Sequence, residues 1–302
     1  MYPTNVISLP TKAELFYKDV LRILNEEKVD YLIGGSLALA HYMHLPRSPK
    51  DLDIFLKRED VEKTLAILAK HGYETLVVHS HWLAKAYKGD LFIDFIFNSG
   101  NGIAQVDNSW FEDVSMGEIF SMEVPICRPE DIIWSKAFIM DRERYDGADI
   151  AHLIRDAGKG IDWNRVLAKF ENHWRVLLAH VMLYQFIYPG CDAIPQWVVD
   201  QLVQRAAVEK SESEQRLCHG TLLSRDQYAS DVDLLGYGDA RLEPHGGNMS
   251  QDELNDYLSA VDQEIRARKK LEKEATIKFN IEQAQIANKI HSRRGRRNKD
   301  VA

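Results

Sequence analysis

Apolar residues recur at helical spacing in the early part of the chain. The first such stretch follows Thr11 and Glu14, which form a capping-box pattern, and it predicts a helix over residues 12–27. Two further helices are predicted: SLALAHYM, which follows a pair of glycines, and REDVEKTLAILAKHG, which ends at Gly72.

Shorter apolar runs between and after these helices predict β-strands. They are YLIGG, DLDIFL, YETLVVHS, WLAKAYK and LFIDFIF, with Gly89 and Asp90 as a hairpin turn between the last two. The resulting order, α–β–α–β–α–β–β–β, is typical of a mixed sheet with helices packed on it.

The pattern changes after a strand that ends near Cys127. Pro129, followed by two acidic residues, is a good helix start. Helices are predicted over residues 130–140, 146–157, 162–187 and 195–209. Residues 210–250 are loop-like. Ser250 and Glu253 then form a second capping box, which opens a long polar helix running into HSRRGRRNKDVA, for which we expect disorder.

These patterns predict an α/β (α+β) fold in which a mixed β-sheet flanked by helices is followed by a helical domain. The predicted regions are a mixed-sheet domain over residues 1–128, a helical domain over 129–209, a loop-rich segment with a helix over 210–264, and a basic polar helix and tail over 265–302.

Composition excludes several classes of protein. Of the 302 residues, 45% are hydrophobic, yet the longest apolar runs are far below the ~20 residues of a membrane span. The first residues lack the basic region and apolar core of a secretory signal. Cys127, Cys191 and Cys218 show no paired spacing, so neither a zinc site nor a disulfide framework is indicated. We therefore expect a cytoplasmic protein with no membrane partner.

Charge is distributed unevenly around a net value of −8. Residues 266–302 carry 12 Lys and Arg against 4 Asp and Glu, whereas the preceding residues carry 26 against 42. This asymmetry argues against a broad nucleic-acid groove over the body of the protein. The basic end is expected to be a solvated tail, with contact to RNA or to a partner protein as the alternative.

Three carboxylates are expected to cluster on the sheet. Asp51 and Asp53 begin a predicted strand, where alternate residues face the same side. Asp94 lies inside the apolar run LFIDFIF, where an uncompensated carboxylate would cost several kcal/mol. If these strands are antiparallel neighbours, their side chains come within about 5 Å of one another. Such a cluster needs a cation, and hard oxygen ligands with open positions are typical of a Mg²⁺ site.

A turn of small residues lies between the first predicted strand and the next helix. In this turn of Gly34, Gly35 and Ser36, free backbone N–H groups and the helix dipole attract phosphate. A single GGS is weak evidence. Followed by D-x-D on a strand and then by one Asp embedded in an apolar strand, it becomes much more specific.

This ordered set resembles the nucleotidyltransferase superfamily of the DNA polymerase β type, over about residues 20–100. The resemblance implies an enzyme that moves an NMP from an NTP, such as ATP, to a hydroxyl acceptor and releases pyrophosphate. The acceptor stays open between RNA, a protein and a small molecule. The alternative is a binding or regulatory protein that keeps the fold without catalysis.

The resemblance also assigns roles to residues. The implied phosphate-binding residues are Gly34, Gly35 and Ser36, and the implied metal ligands are Asp51, Asp53 and Asp94. Two Mg²⁺ ions are expected, with Mn²⁺ as a substitute, and Asp94 would also orient or deprotonate the attacking hydroxyl. Arg47, in PRSPKDLD, corresponds to an Arg-x-[ST] element and would contact phosphate or brace the loop.

A second, narrower resemblance concerns KAFIMDRERYDGADI at residues 136–150, which is similar to an element of the AbiEii toxin subgroup. It implies that Lys136 reaches the nucleotide phosphates and that Asp146 and Asp149 position Lys136 or an arginine. In this chain one residue, Tyr145, is inserted between the arginine and the first of these acids. A toxin role would add a small partner protein.

Other residues have structural interpretations. His79 and His81 lack metal ligands at suitable spacing and are expected to be structural. GTLLSRDQYASDVDLL at 220–235 imitates the first motif through Asp231 and Asp233, but no apolar strand with a third acid follows it. An ordered loop with a short helix is therefore predicted there, with a lid or acceptor-binding element as the alternative. A D-x-D of the sugar-transferase kind also stays open for Asp51 and Asp53.

Overall fold

The computed structural model describes residues 11–43, 51–209 and 216–260. The helices are α1 (Thr11–Glu26), α2 (Gly35–Tyr42), α3 (Arg58–Lys70), α4 (Pro129–Lys136), α5 (Gly147–Ala157), α6 (Trp163–Lys169), α7 (Trp174–Ile187), α8 (Gln196–Val208) and α9 (Ala229–Asp233). The strands are β1 (Leu32–Ile33), β2 (Asp53–Phe55), β3 (Glu74–His79), β4 (Leu83–Lys88), β5 (Leu91–Ile96), β6 (Ser115–Ile119), β7 (Met122–Ile126), β8 (Leu217–Cys218) and β9 (Gly238–Asp239). Residues 251–260 are also helical.

Within the described residues, seven strands form one sheet in the order β3-β4-β5-β2-β1-β7-β6. The pairs β1–β7 and β2–β5 are parallel, and the other neighbours in this sheet are antiparallel. β8 and β9 form a separate parallel pair. The predicted mixed sheet flanked by helices is confirmed.

The hydrophobic spacing along the chain accounts for how these elements pack. α1 buries Val20, Leu21 and Leu24 completely on one face, which is the amphipathic pattern of a helix covering a core. In the centre of the sheet, Ile33 of β1 and Ile54 of β2 are also completely buried. Burial of this kind contributes roughly 1.5–3 kcal/mol for each large apolar side chain.

One expectation about strand direction is wrong. β2 and β5 are neighbours, but they run parallel, with Asp53 opposite Asp94. β4 lies on the other side of β5 and is antiparallel to it, because the turn at Gly89 and Asp90 reverses the chain. The parallel arrangement still places the carboxylates together, since residues opposite each other in a parallel pair also share a face.

Two of the helix predictions need correction. The helix predicted over 162–187 is divided: α6 ends at Lys169, a 3₁₀ turn spans Glu171–His173, and α7 begins at Trp174. The fully buried ring of Phe170 lies at this break and packs against Trp134 with ring centroids 4.9 Å apart. The helix predicted over 130–140 stops at residue 136.

The segment of residues 216–254 is bound to three separate parts of the chain. Hydrogen bonds join Arg58 to Glu253 (3.2 Å), Asn101 Nδ2 to the carbonyl of Leu222 (2.7 Å), and the N–H of Met140 to the carbonyl of Leu223 (3.1 Å). The first partners in these bonds lie shortly after β2, β5 and α4, respectively. The predicted capping box is also present, since the N–H of Ser250 donates to Glu253 Oε2 (3.1 Å) and the N–H of Glu253 donates to Ser250 Oγ (3.2 Å).

The chain divides into two compact units, residues 1–254 and 255–302. Of the second unit the described residues are 255–260, which are helical. The predicted domain boundaries at 128, 209 and 264 stay predictions. In the described parts of the chain, no helix combines the length and apolar character of a membrane span.

Candidate active site

A transverse row of side chains crosses the sheet at the predicted carboxylates. Asp53 of β2 is directly opposite Asp94 of β5, and Asp94 is directly opposite Lys85 of β4. On the other side of Asp53, its carbonyl accepts a hydrogen bond from the N–H of Gly34 (2.9 Å). The register therefore brings a lysine, two carboxylates and the glycine turn into one line.

Asp51 completes a cluster with the two carboxylates of this row. One carboxylate oxygen from each of Asp51, Asp53 and Asp94 lies within 4.8 Å of the others. All three side chains are partly buried. Among the described residues this is the one group of at least three His, Cys, Asp or Glu side chains arranged to hold a metal ion. The donor set consists of hard oxygens alone, which fits Mg²⁺ or Mn²⁺.

The electrostatics of the cluster show what a cation would compensate. Burial, followed by the negative charges of Asp51 and Asp94, raises the pKa of Asp53 to about 7. Burial also raises the pKa of Asp94, against the neighbouring ammonium group of Lys85, which lowers it. Mutual repulsion and desolvation therefore act on the same carboxylates, and a divalent ion would relieve both.

The glycine turn approaches the carboxylates so closely that side chains are excluded there. Gly35 has φ +54°, a left-handed conformation, and a Cβ atom at this position would collide with Oδ2 of Asp53. A Cβ atom on Gly34 would collide with the ring of Phe55. Two side chains of β2 thus require the two glycines of the motif.

Ser36 and Arg47 complete the predicted phosphate end of the site. The Oγ atom of Ser36 is buried and has no hydrogen-bond partner among the described residues. A buried hydroxyl left without a partner is unfavourable, and a phosphate oxygen would satisfy it. Arg47 lies outside the described residues.

A second ionic group lies beside the triad and contains the residues of the second motif. Lys136, the last residue of α4, has its Nζ 2.6 Å from Asp146 Oδ2 and 3.0 Å from Asp149 Oδ2. Arg144 binds Asp146 with two hydrogen bonds of 3.0 Å each, in a bidentate geometry. The charges of Lys136 and Arg144 also lower the pKa of Asp53, so this basic group acts on the triad.

The pKa of Asp146 shows that the second ionic group is well compensated. Burial alone would raise this pKa, but the hydrogen bonds from Arg144 and Lys136, together with their charges, outweigh burial and lower it. Asp146 therefore stays ionised and holds both cations in place. The Asp146 carboxylate thus holds Lys136 and Arg144 at positions from which their charges lower the pKa of Asp53.

Two residues at this site were missed by the sequence interpretation. Lys85 has its Nζ 2.6 Å from Asp94 Oδ1. Tyr17 of α1 is buried, and its pKa is raised by burial and then by the charges of Asp51, Asp94 and Asp53, so it lies near enough to the triad to be affected by these charges. For Lys85 a signal existed: counting back from the turn at residues 89–90 places it opposite Asp94.

The remaining sequence candidates lie elsewhere in ordinary structural settings. His79 stacks on Trp82 with ring centroids 5.5 Å apart, and His81 bonds to the carbonyl of Gly100 (3.1 Å). Asp231 and Asp233 belong to α9, so the predicted short helix is confirmed.

Comparison with known families agrees with this geometry. A family described as uncharacterised nucleotidyltransferase matches residues 16–185, which is more than half of the chain. The match includes the glycine turn, the three carboxylates and the Lys136 group. It ends before the 216–254 segment. No curated protein matches the chain.

Solved structures match parts of the chain at low sequence identity. The solution structure of the antibiotic-resistance factor ANT(2'')-Ia is 18% identical, with a TM-score of 0.41 over 58% of this chain and 99% of that protein. The lincosamide antibiotic adenylyltransferase LnuA with lincomycin bound is 19% identical, with a TM-score of 0.35 over 48% of this chain and 96% of that one. A putative nucleotidyltransferase from Thermotoga maritima is 14% identical, with a TM-score of 0.33 over 40% and 81%.

Proposed function

We propose a specific reaction for this chain from the premise that it belongs to the uncharacterised nucleotidyltransferase family. The reaction is transfer of an NMP from an NTP to a hydroxyl group of an acceptor. The observation that carries the proposal is the row formed by Asp53 and Asp94 beside the glycine turn, with Asp51 completing the cluster. Membership of the family makes the chain a nucleotidyltransferase. The carboxylates of this row are the groups that we propose for metal binding and proton transfer.

Asp51, Asp53 and Asp94 would hold divalent metal, for which we propose Mg²⁺. A divalent ion bound to such carboxylates neutralises charge on phosphate oxygens and lowers the pKa of a hydroxyl that it contacts. The donor chemistry and the raised pKa of Asp53 support this assignment, because the cluster is destabilised without added positive charge.

The chain's own residues would hold the nucleotide and move the proton. The backbone N–H groups at the start of α2 and the hydroxyl of Ser36 would bind phosphate oxygens. Lys136 and Arg144 would supply positive charge for binding the phosphates, since the charges of both residues already lower the pKa of Asp53. Asp94 would accept the proton of the acceptor hydroxyl.

The reaction balances without an additional reactant. The acceptor oxygen loses its proton to Asp94 and forms a bond to the α-phosphorus of the NTP. The bond from the α-phosphorus to the bridging oxygen breaks, and pyrophosphate leaves with that electron pair. Because in-line displacement requires only positioning and charge stabilisation, the acceptor can be RNA, a protein or a small molecule.

The purified full chain tests the proposal directly. Each α-labelled NTP is incubated with the protein and Mg²⁺ or Mn²⁺, and separately with cell RNA, cell protein or a set of small hydroxyl compounds that includes aminoglycosides. We expect label to appear in one of these pools, and EDTA to abolish the signal. The labelled pool then identifies the acceptor class, and comparison of the four NTPs identifies the base. A toxin role and a small partner protein stay predictions from the sequence.

Asp53→Asn is the decisive variant. It removes one charge from the triad at nearly constant size, and we expect loss of transfer together with an unchanged circular dichroism spectrum. Asp90→Asn is the matched control, because Asp90 is exposed in the turn of the hairpin that carries Asp94. Transfer by Asp53→Asn at the rate of this control would contradict the assignment.

A further inference from the structure

We propose that Lys85 is a positioning residue of the transfer site, which orients Asp94 by holding one of its two carboxylate oxygens. The inference rests on the proposed function and adds a residue from outside the motifs. Lys85 Nζ lies 2.6 Å from Asp94 Oδ1, and the two residues are directly opposite each other on neighbouring antiparallel strands. Their side chains consequently share one face of the sheet.

The lysine is fixed from a second direction. Its Nζ lies 4.0 Å from the centroid of the Phe92 ring, which belongs to β5 two residues before Asp94. The side chain of Lys85 is 19% exposed and that of Asp94 is 15% exposed. An exposed lysine samples many rotamers and contributes little as an ion pair. A lysine held between a carboxylate and an aromatic face, with little exposure, has a defined position.

Other cations near the triad are committed to other carboxylates. Lys136 and Arg144 bind Asp146, and Lys136 also lies 3.0 Å from Asp149. Among the described residues, Lys85 is the lysine or arginine that lies within ion-pair distance of a triad carboxylate. It is therefore the direct structural support of the third carboxylate.

The two carboxylate oxygens of Asp94 have different roles in this arrangement. Oδ1 pairs with the ammonium group of Lys85, and Oδ2 therefore remains available to the reacting groups. A carboxylate free to rotate would present either oxygen, and misplacement of a reacting group by about 1 Å can cost about 10²-fold in rate. The ammonium charge also lies next to a metal ligand, so it weakens metal binding there.

Lys85→Met tests the inference, with Lys88→Met on the same strand as the matched control. Lys88 is largely exposed and pairs with Asp19 (3.7 Å), outside the site. In Lys85→Met we expect kcat for transfer to fall about 10²-fold while KM for the NTP changes less than about threefold. We expect nucleotide-free Lys85→Met to bind Mn²⁺ about tenfold more tightly by calorimetry, because a neighbouring positive charge is gone. Lys85→Arg should recover part of kcat, since it keeps a positive charge beside Oδ1.

Several outcomes would overturn the inference. A kcat of Lys85→Met within about threefold of wild type would do so, as would an affinity for Mn²⁺ that does not rise. If Lys85→Met does not fold, as judged by circular dichroism, Lys85→Gln carries the same comparison, because it also removes the positive charge. Absence of transfer in the wild-type protein would instead contradict the proposed function. In that case the Mn²⁺ affinities still decide whether Lys85 acts on the metal site.

Discussion

Gly35 shows how a single position can be fixed by two independent constraints. Its backbone is in the left-handed region, and the carboxylate of Asp53 occupies the space where a side chain would begin. The two constraints have different consequences: the first concerns stability, whereas the second concerns the position of a carboxylate that we propose as a metal ligand. Variants can separate them.

The Gly35→Ala substitution should therefore impair metal binding and transfer as well as the stability of the protein. We expect it to displace Asp53 and to abolish both divalent-metal binding and transfer, in addition to the roughly 1–2 kcal/mol of strain that a Cβ adds in the left-handed conformation. Gly89→Ala is the control, because Gly89 has φ +64° with no atom within 4 Å of its missing Cβ. Equal metal affinity in the two variants, measured by calorimetry, would show that contact with Asp53 is unimportant.

Asp53 also predicts how stability depends on pH. Its folded-state pKa of about 7 is above the ordinary value of 3.8, so between these values the folded protein retains a proton that the unfolded chain has released. The contribution of Asp53 to the free energy of unfolding is therefore fully present below about pH 4 and is lost as the pH rises through 7.

The measurement is urea denaturation of metal-free protein at several pH values between 4.5 and 7.5. We expect Asp53→Asn to lose stability less steeply with rising pH than the wild type, and added Mg²⁺ to stabilise the wild type more at the upper end, where the carboxylates are ionised. Parallel pH profiles of the wild type and Asp53→Asn would contradict the raised pKa.

Residue-level prediction from the sequence succeeded where spacing alone brings side chains together. Asp53 and Asp94 follow from the alternation of strands and the order of the motifs. Lys85 could have been found from the hairpin turn, because a two-residue turn fixes the register on both sides. Tyr17 could not, since its approach to the triad depends on how α1 lies on the sheet, which a local pattern does not encode.

At the level of elements, α4 and α6 are joined by a buried carboxylate. Asp131 of α4 has no exposed surface and lies 2.6 Å from Lys169 and 3.2 Å from Arg165, both on α6. Burial raises its pKa, against the charges of these two cations. Since α4 also ends in Lys136, this contact fixes the helix that carries the second ionic group of the site.

Asp131→Asn should consequently destabilise the protein. Removing one partner of a buried ion pair leaves the other charges uncompensated, and we expect a loss of about 3 kcal/mol in the free energy of unfolding, measured by urea denaturation. Asp200→Asn on α8 is the control, because Asp200 is exposed, and it should change stability by less than about 0.5 kcal/mol. A loss of stability no larger than in this control would contradict the role of Asp131.

The elements that sequence reasoning missed are those without a local signal. β6, which the sequence did not predict, forms a hairpin with the predicted strand β7, and the turn residues Phe120 and Ser121 have φ +53° and +60°. Glycine or asparagine would mark such a turn, and neither is present. The break after α6 likewise contains no glycine or proline. In both places tertiary packing, rather than local preference, determines the backbone.

At the level of the whole molecule, the 216–254 segment contains a buried ion pair of its own. Arg241 binds Asp239 with its guanidinium, and both side chains are about 95% buried, with 4% and 5% exposed. The backbone N–H of Arg241 also donates to Asp239 Oδ1 (3.0 Å). The hydrogen bonds and charge of Arg241 lower the pKa of Asp239 despite its burial, which alone would raise it.

Arg241→Met should therefore weaken the whole unit. We expect a loss of about 3–5 kcal/mol, because the carboxylate of Asp239 is left buried without its partner. Combining it with Asp239→Asn should recover part of this loss, since the uncompensated charge is gone, and a double-mutant cycle measures the coupling. Strictly additive effects of the two substitutions would show that the pair does not interact.

The bonds from the 216–254 segment to Arg58, Asn101 and Met140 have a consequence for synthesis on the ribosome. Every residue of the candidate site has been translated by Asp149, but Glu253 follows about a hundred residues later, an interval of about 5–20 s at typical rates of 5–20 residues per second. A nascent chain thus contains all residues of the candidate site before the bonds that lie just after β2, β5 and α4 can form. Activity of ribosome-bound chains arrested at successive lengths is accordingly expected to rise once residue 223 has left the exit tunnel, when the bonds to Asn101 and Met140 can form, and again after residue 253.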